Sequence, residues 1–297
     1  MPTALSVNLN KVALLRNQRD LTYPSVTRAA RTCIEAGADG ITVHPRPDER
    51  HIRRSDVYDL ADMLEVEFNI EGNPTSDFMS LVESVRPAQC TLVPDSPEQR
   101  TSDHGWDMRA DAERLQPIVA RLKDLNIRVS LFMDPDPQAM QAVAALGADR
   151  IELYTEPYAN AFGTDGQEAM LDSYVKTAEV AQQFGLAVNA GHDLTVTNLG
   201  PFVTTVPGVK EVSIGHALIA DALWDGLAAT VSRYKAALGE GVSHACGPLA
   251  PIARSRDVHP TTLLANPTAC VRVAVSATAH RGGARKKFRC ERRRRRK

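Results

Sequence analysis

Eight times between Ala4 and Leu238 a short apolar run, rich in β-branched residues, gives way to a segment that reads as a helix. The runs cover residues 4–8, 40–44, 68–71, 89–93, 127–132, 151–154, 186–188 and 212–214. Between them, Val26, Ala29, Ala30 and Cys33 share one helical face, and Ser55 is placed to cap a helix carrying Val57, Leu60, Ala61 and Leu64. Similar faces recur at Phe78, Leu81, Val82 and Val85, at Leu115, Ile118, Val119 and Leu122, and over residues 138–146 and 167–184. A single closing helix is expected through Ile219, Leu223, Leu227 and Val231. Residues 197–209, broken by Gly200, Pro201, Pro207 and Gly208, carry the weakest helical signal. The turn Gly37-Ala38-Asp39 returns as Gly147-Ala148-Asp149, so one helix-to-strand device is used twice. Such alternation within one body predicts an α/β fold, an eight-stranded parallel (β/α)8 TIM barrel. A doubly wound open sheet is the rival, but no Gly-x-Gly-x-x-Gly follows the first run.

Nearly every run stops at a polar side chain. Asn8, His44, Glu71, Asp134, Glu152, His192 and the pair Gly215-His216 stand at these tips. In a parallel barrel the strand ends converge on one mouth, and the chemistry sits there. Two imidazoles and two carboxylates in one mouth suit proton shuttling, because burial and neighbouring charges can tune each toward neutral pH. Gly215 stands where the last strand turns into its helix, a place where free N–H groups and the helix dipole favour a phosphate. Arg19, Arg46, Arg50 and His51 add positive charge from the first two loops, after a basic stretch that starts at Arg16. Two phosphorylated ligands are therefore expected. The polar, Pro- and Gly-broken segment 94–107 is long for a strand-to-helix connection and reads as a mobile flap. Metal ligation by His and Glu is the competing chemistry, although no compact HxH or HxxxH pair occurs.

Composition narrows the rest. No run of about 18 apolar residues is present to span a bilayer, and the start of the chain lacks the basic and apolar regions of a signal peptide, so a cytoplasmic protein is expected. Cys33 and Cys90 are too few and too far apart in the barrel segment for a disulfide framework. The net charge of -1 hides a division: residues 239–297 hold 14 Lys or Arg against 3 Asp or Glu, leaving 21 basic and 33 acidic side chains before them. Two regions follow, a barrel domain over 1–238 and a basic tail over 239–297 expected to be disordered. Nucleic acid is an unlikely partner, entering only through the arginines of that tail.

Six stretches, taken in order, carry a family likeness. They are Ser6-Val-Asn8-Leu-Asn10-Lys11 with Leu15-Arg-Asn-Gln-Arg19, Gly40-Ile-Thr-Val-His44-Pro-Arg46 with Arg50-His51-Ile52, Asn69-Ile-Glu71, Leu92-Val-Pro94, Val188-Asn-Ala-Gly-His192 and Ile214-Gly215-His216-Ala217. Together they resemble pyridoxine 5'-phosphate synthase, a family of vitamin B6 biosynthesis, from about Leu5 to Leu238. The resemblance implies a ring-closing transferase that condenses 1-deoxy-D-xylulose 5-phosphate with 3-amino-2-oxopropyl phosphate, releasing pyridoxine 5'-phosphate, inorganic phosphate and water. It implies no cofactor and no metal, helices beyond the standard eight, and a homo-octamer built from dimers, for which Tyr158 and Phe162 in the insertion 156–164 are a candidate contact. It makes Glu71 and His44 proton acceptors, His192 a proton donor and Glu152 a transition-state stabiliser. Asn8, Arg19, Asp193, Gly215 and His216 would hold the amino-ketone phosphate. Asn10, Lys11, Arg46, His51 and Thr101 would hold the sugar phosphate. Two positions depart from the pattern: many members have Asp-His in place of Asn10-Lys11, and Gly in place of Asp193.

Overall fold

The computed structural model describes residues 2–19, 21–96, 99 and 101–239, so the expectations for the basic tail lie outside the described residues. The chain begins β1 (Ala4–Asn8), α1 (Asn10–Arg16), α2 (Val26–Glu35), β2 (Gly40–Val43), α3 (Arg54–Met63), β3 (Glu67–Gly72) and α4 (Ser76–Val85). It continues through β4 (Gln89–Leu92), α5 (Met108–Asp124), β5 (Arg128–Met133), α6 (Met140–Ala145), β6 (Arg150–Tyr154), α7 (Glu156–Ala161) and α8 (Gln167–Gln183). It ends with β7 (Ala187–His192), α9 (Leu199–Thr205), β8 (Val209–Ile214), α10 (His216–Asp225) and α11 (Leu227–Ala237). All eight strands are parallel in chain order, and β8 pairs back onto β1 with Ala4 opposite Glu211 and Val7 opposite Ile214. This is the closed barrel that the alternation predicts.

The strands are buried on both faces, but the two faces differ in kind. Leu5, Val7, Ile41, Val43, Ile70, Leu92, Leu131, Ile151, Leu153, Val212 and Ile214 are fully buried beneath the ring of helices, and there the main apolar core lies. Their alternating neighbours turn inward and are polar. Ser6 and Thr42 hydroxyls lie 2.7 Å apart, and Thr91 donates to Asn69 at 3.1 Å. Nearer the strand starts, Gln89 reaches across to Glu211 and receives Arg128, while Arg150 donates to both Asn189 and Glu211 at 3.0 Å. Barrels of this class usually fill that space with branched apolar side chains. Here hydrogen bonds across the barrel satisfy most of the buried polar groups, as burial requires; among the described residues Ser130 Oγ and Glu152 Oε2 are left without a partner.

Four local expectations are corrected. Ser55 lies inside the first turn of α3; the end is closed instead by the Asp56 carboxylate, which accepts from the Arg53 N–H at 2.8 Å. The basic stretch that starts at Arg16 begins inside a helix: α1 carries Arg16 into a buried position, and only residues 17–19 form a turn. The closing helix is two helices, α10 and α11, parted at Gly226, which leaves Leu223 exposed. Tyr158 is fully buried against Tyr174 and Phe202, with its hydroxyl donating to the Asn198 carbonyl at 2.8 Å. It packs the protomer's own core and is not free to make a subunit contact.

Candidate active site

At the C-terminal ends of the strands a cavity of about 230 Å³ is lined by Asn8, Asn10, Lys11, Glu71, Thr101, Glu152, His192, Asp193, Gly215 and His216, all singled out from the sequence. Val93, Ser102, Phe132 and Ser213 complete the lining. Ser213 could have been found by period two, since it shares a strand face with Gly215. Of the other three, Val93 and Ser102 follow β4, whose tip gave no polar signal, and Phe132 lies within β5, two residues before the Asp134 tip.

A chain of amides ties the first three strands together. Asn8 Nδ2 donates to Glu71 Oε2 at 3.2 Å, and Asn8 Oδ1 accepts from the Asn10 N–H at 3.0 Å. Asn10 Oδ1 in turn accepts from the His44 N–H at 2.9 Å. Ser213 donates to the other Glu71 oxygen at 3.3 Å. Burial nevertheless pushes Glu71 up to about 8, with the Asp95 and Glu211 charges adding to it. Glu152 is raised well above the carboxylate range, first by burial and then by the charge of Glu71, and its Oε2 finds no hydrogen-bond partner among the described residues.

The histidines divide into two kinds. Burial, reinforced by the Arg46, His192 and Arg50 charges, lowers His44 to about 3. Burial also lowers His51 to about 3, with His44, Arg46, Lys11 and Arg50 adding to it. Both are therefore neutral rings near pH 7, and they pack edge to face at 6.2 Å. His51 Nδ1 accepts from the Ile52 N–H at 2.9 Å, so its proton sits on Nε2. His44 Nε2 lies 3.7 Å from Asp95, but that carboxylate is engaged by Arg46 at 2.9 Å and a neutral ring makes only a polar contact with it. His192 behaves oppositely: burial presses its pKa down, but the hydrogen bond and charge of Asp193 and the charge of Glu152 outweigh this and raise it. The pKa of His192 is thus pushed opposite to those of His44 and His51, and pairs of groups pushed apart in pKa are what acid-base catalysis requires.

The remaining expected residues are distributed around this cavity. His44 and Arg46 line a smaller adjoining space with Asp95 and Asn73. Arg46 also donates to the Ser96 carbonyl at 2.6 Å, and Arg50 donates to the Gln99 carbonyl at 2.9 Å, so the second loop holds the described part of segment 94–107. From the far side, Thr101 Oγ1 lies 2.6 Å from His192 Nε2. Arg16 is not an anion ligand: its guanidinium meets Asp56 at 2.5 and 2.9 Å and donates to the His51 carbonyl at 3.0 Å. Arg19 lies in the exposed turn after α1, outside the linings of both spaces. Gly215 precedes α10, whose first residue is His216; a Cβ at Gly215 would stand 3.1 Å from Asn8 Cβ, so the N-terminus of α10 closes directly on the β1 tip. Among the described residues no group of three or more His, Cys, Asp or Glu is placed to hold a metal ion.

A closed parallel barrel with a polar, acid-base-equipped cavity at its C-terminal mouth defines a (β/α)8-barrel enzyme. Comparison with known proteins gives the family: the pattern described as "Pyridoxal phosphate biosynthesis protein PdxJ" matches residues 5–240. The chain is 58% identical over 252 residues to the pyridoxine 5'-phosphate synthase of Albidiferax ferrireducens, covering 82% of this chain and 100% of that relative. It is 54% identical over 244 residues to the enzyme of the same name from Brucella anthropi, covering 80% and 100%. The chain belongs to the pyridoxine 5'-phosphate synthase family and is an enzyme of vitamin B6 biosynthesis. Among solved structures, it is similar to tryptophan synthase from M. tuberculosis (TM-score 0.54, 14% identity, 80% of this chain and 93% of that one) and to phosphoribosylanthranilate isomerase from Thermotoga maritima (TM-score 0.52, 11%, 80% and 99%). At such identities the likeness concerns the fold alone.

Proposed function

We infer that this enzyme condenses 1-deoxy-D-xylulose 5-phosphate with 3-amino-2-oxopropyl phosphate to give pyridoxine 5'-phosphate, inorganic phosphate and water. The observation that carries this reading is the single cavity holding Glu71, Glu152 and His192 against the N-terminus of α10. Imine formation, loss of phosphate, carbon-carbon closure and dehydration each move a proton, so several groups of opposite readiness are needed at once. His192, raised in pKa, is the donor; neutral His44 and Glu71, whose pKa of about 8 lets it give and regain a proton near neutrality, are the acceptors. Protonated Glu152 offers a hydrogen bond to negative charge developing in the transition state.

Asn8, Gly215 and His216 hold the amino-ketone phosphate, using the free N–H groups at the start of α10. Lys11, Asn10, Arg46, His51 and Thr101 hold the sugar phosphate, and segment 94–107 closes over it to keep water from the imine. Arg46 then exchanges Asp95 for a phosphate oxygen. The assembly is read as a cytoplasmic homo-octamer built from dimers. Among the described residues no helix is long and apolar enough to cross a membrane, and the neighbouring helices α1 and α10 expose Leu15, Leu223 and Trp224. The test is phosphate release and product absorbance with both substrates together and with each alone. Release requiring both supports the condensation, whereas turnover of one alone would point to a sugar-phosphate lyase or isomerase.

A further inference from the structure

Asp193 occupies a place that the substrate contacts alone do not explain. Its carboxylate accepts a hydrogen bond from His192 Nδ1 at 2.7 Å, and both side chains are only about a third exposed, at 29% and 32%. Its own N–H is donated to the Gly191 carbonyl at 3.0 Å and lies 3.3 Å from Thr155 Oγ1, so although Asp193 lines the cavity, its N–H and its carboxylate are both engaged within the protein. The intervening His192 is held at φ +68, a left-handed backbone that residues other than Gly rarely adopt. This tight reversal at the end of β7 brings two successive side chains, which a strand would send to opposite faces, onto one another. The result leaves His192 Nε2 facing the cavity, 2.6 Å from Thr101 Oγ1.

The geometry points to Asp193 as a positioning residue that orients His192 and holds it protonated, making the proton donor of this enzyme a carboxylate-imidazole pair. The inference rests on the reading of His192 as donor. A carboxylate on Nδ1 fixes the tautomer, so that Nε2 carries the transferable proton and loses it only toward the substrate. The groups around the ring act in both directions. Asp95 beyond β4 favours the cation, as Glu152 from β6 does when ionised, while Lys11 from α1 opposes it. His44 from β2 is neutral, and Tyr154 contributes an aromatic edge at 6.1 Å. Asp193 is the only one of these in hydrogen-bond contact with the ring, so its charge is the one whose loss is felt most. It also stands near the phosphate-binding end of α10, where a free carboxylate would repel an anion; engagement with His192 offsets that charge.

The test reads the protonation of His192 without turnover. Carbethoxylation by diethyl pyrocarbonate attacks only the neutral ring, and its rate at His192, followed by peptide mass spectrometry from pH 5 to 9, gives a midpoint. In the unaltered enzyme that midpoint should stand above the ordinary histidine value; one at or below it would overturn the inference with no variant needed. Asp193→Asn should lower the midpoint by about one pH unit or more, and lower the basic limb of the kcat profile by the same amount. At a pH above both midpoints each unit means a roughly tenfold loss of kcat. Asp193→Glu should restore most of both. An Asp193→Asn enzyme with an unmoved midpoint, or with a raised KM for the amino-ketone phosphate and an unmoved profile, would mark Asp193 as a substrate ligand or a structural residue. Failure of the donor reading looks different: His192→Gln would keep full turnover, whatever Asp193 does to the midpoint.

Discussion

Replacing Asp56 by Ala should be among the most damaging single changes outside the catalytic groups. Arg16 and Asp56 are 5% and 7% exposed and meet through two hydrogen bonds, at 2.5 and 2.9 Å. Removing the carboxylate leaves a guanidinium buried without its counter-charge, a loss worth about 3–5 kcal/mol. The cap on the Arg53 N–H goes with it, at about 1 kcal/mol. For a barrel of this size each kcal/mol lowers Tm by about 2–4 °C, so the pair alone predicts a fall of about 6–20 °C. The pair also carries function, because Arg16 and Asn17 both donate to the His51 carbonyl, at 3.0 and 2.8 Å. An Arg16→Met, Asp56→Leu double variant, which buries no lone charge, should recover most of the stability. It should still raise KM for the sugar phosphate, since His51 loses one of its two anchors. Thermal melts and steady-state kinetics on the three proteins decide it. A single variant that melts within 2 °C of the parent, or a double variant no more stable than the single, would refute the argument.

Glu71→Gln should lower kcat by roughly 100-fold or more while both substrates still bind, measured by turnover and by calorimetric titration. The same change alters the pH dependence of stability. Glu71 has a folded pKa of about 8 against an ordinary 4.5, so it favours the folded state fully below the unfolded value, and that contribution is lost as pH rises to about 8. Urea unfolding at pH 5 and 8.5 should show the parent losing more stability than Glu71→Gln across that window, on the order of a few kcal/mol; equal losses would contradict the buried-acid assignment. Gly105→Ala should undock the end of segment 94–107, because the new Cβ would overlap the Asp134 N–H and stand 2.6 Å from Met133 Cα. The expected result is a roughly tenfold or greater loss of kcat with little change in Tm, read by kinetics and thermal melts.

The fold was legible because the helix and strand periods alternate without interruption and because Gly37 and Gly147 mark two of the returns to the sheet. What could not be read was the character of the barrel's interior. Short runs such as Gly40-Ile-Thr-Val and Phe68-Asn-Ile look continuously apolar when threonine is counted as β-branched. Only with the register known does Thr42 fall on the same inner face as Ser6, Asn69 and Thr91. The cap of α3 departs from expectation for a related reason: Ser55 is a good capping residue by type, but Asp56 already stands against Arg16, and the tertiary pair fixes where the helix begins.

The site was legible in its members more than in its electrostatics. Ten of the fourteen residues expected there line one cavity, because position at the end of a strand is encoded locally and the barrel brings those ends together. Their protonation is encoded elsewhere. Arg16 and Arg46 read alike in the chain, as cations in basic loops, yet one is paired with Asp56 behind the His51 carbonyl and the other with Asp95 beside His44. His44 and His192 also read alike, as histidines at strand tips. Burial next to Arg46 lowers the pKa of the first, and a carboxylate one residue away raises that of the second. That carboxylate is adjacent in sequence but would point to the opposite face in any regular strand. Only the reversal at φ +68 turns Asp193 back onto its neighbour. The pairing that raises the pKa of His192 therefore depends on one left-handed backbone angle as much as on the identity of the side chains.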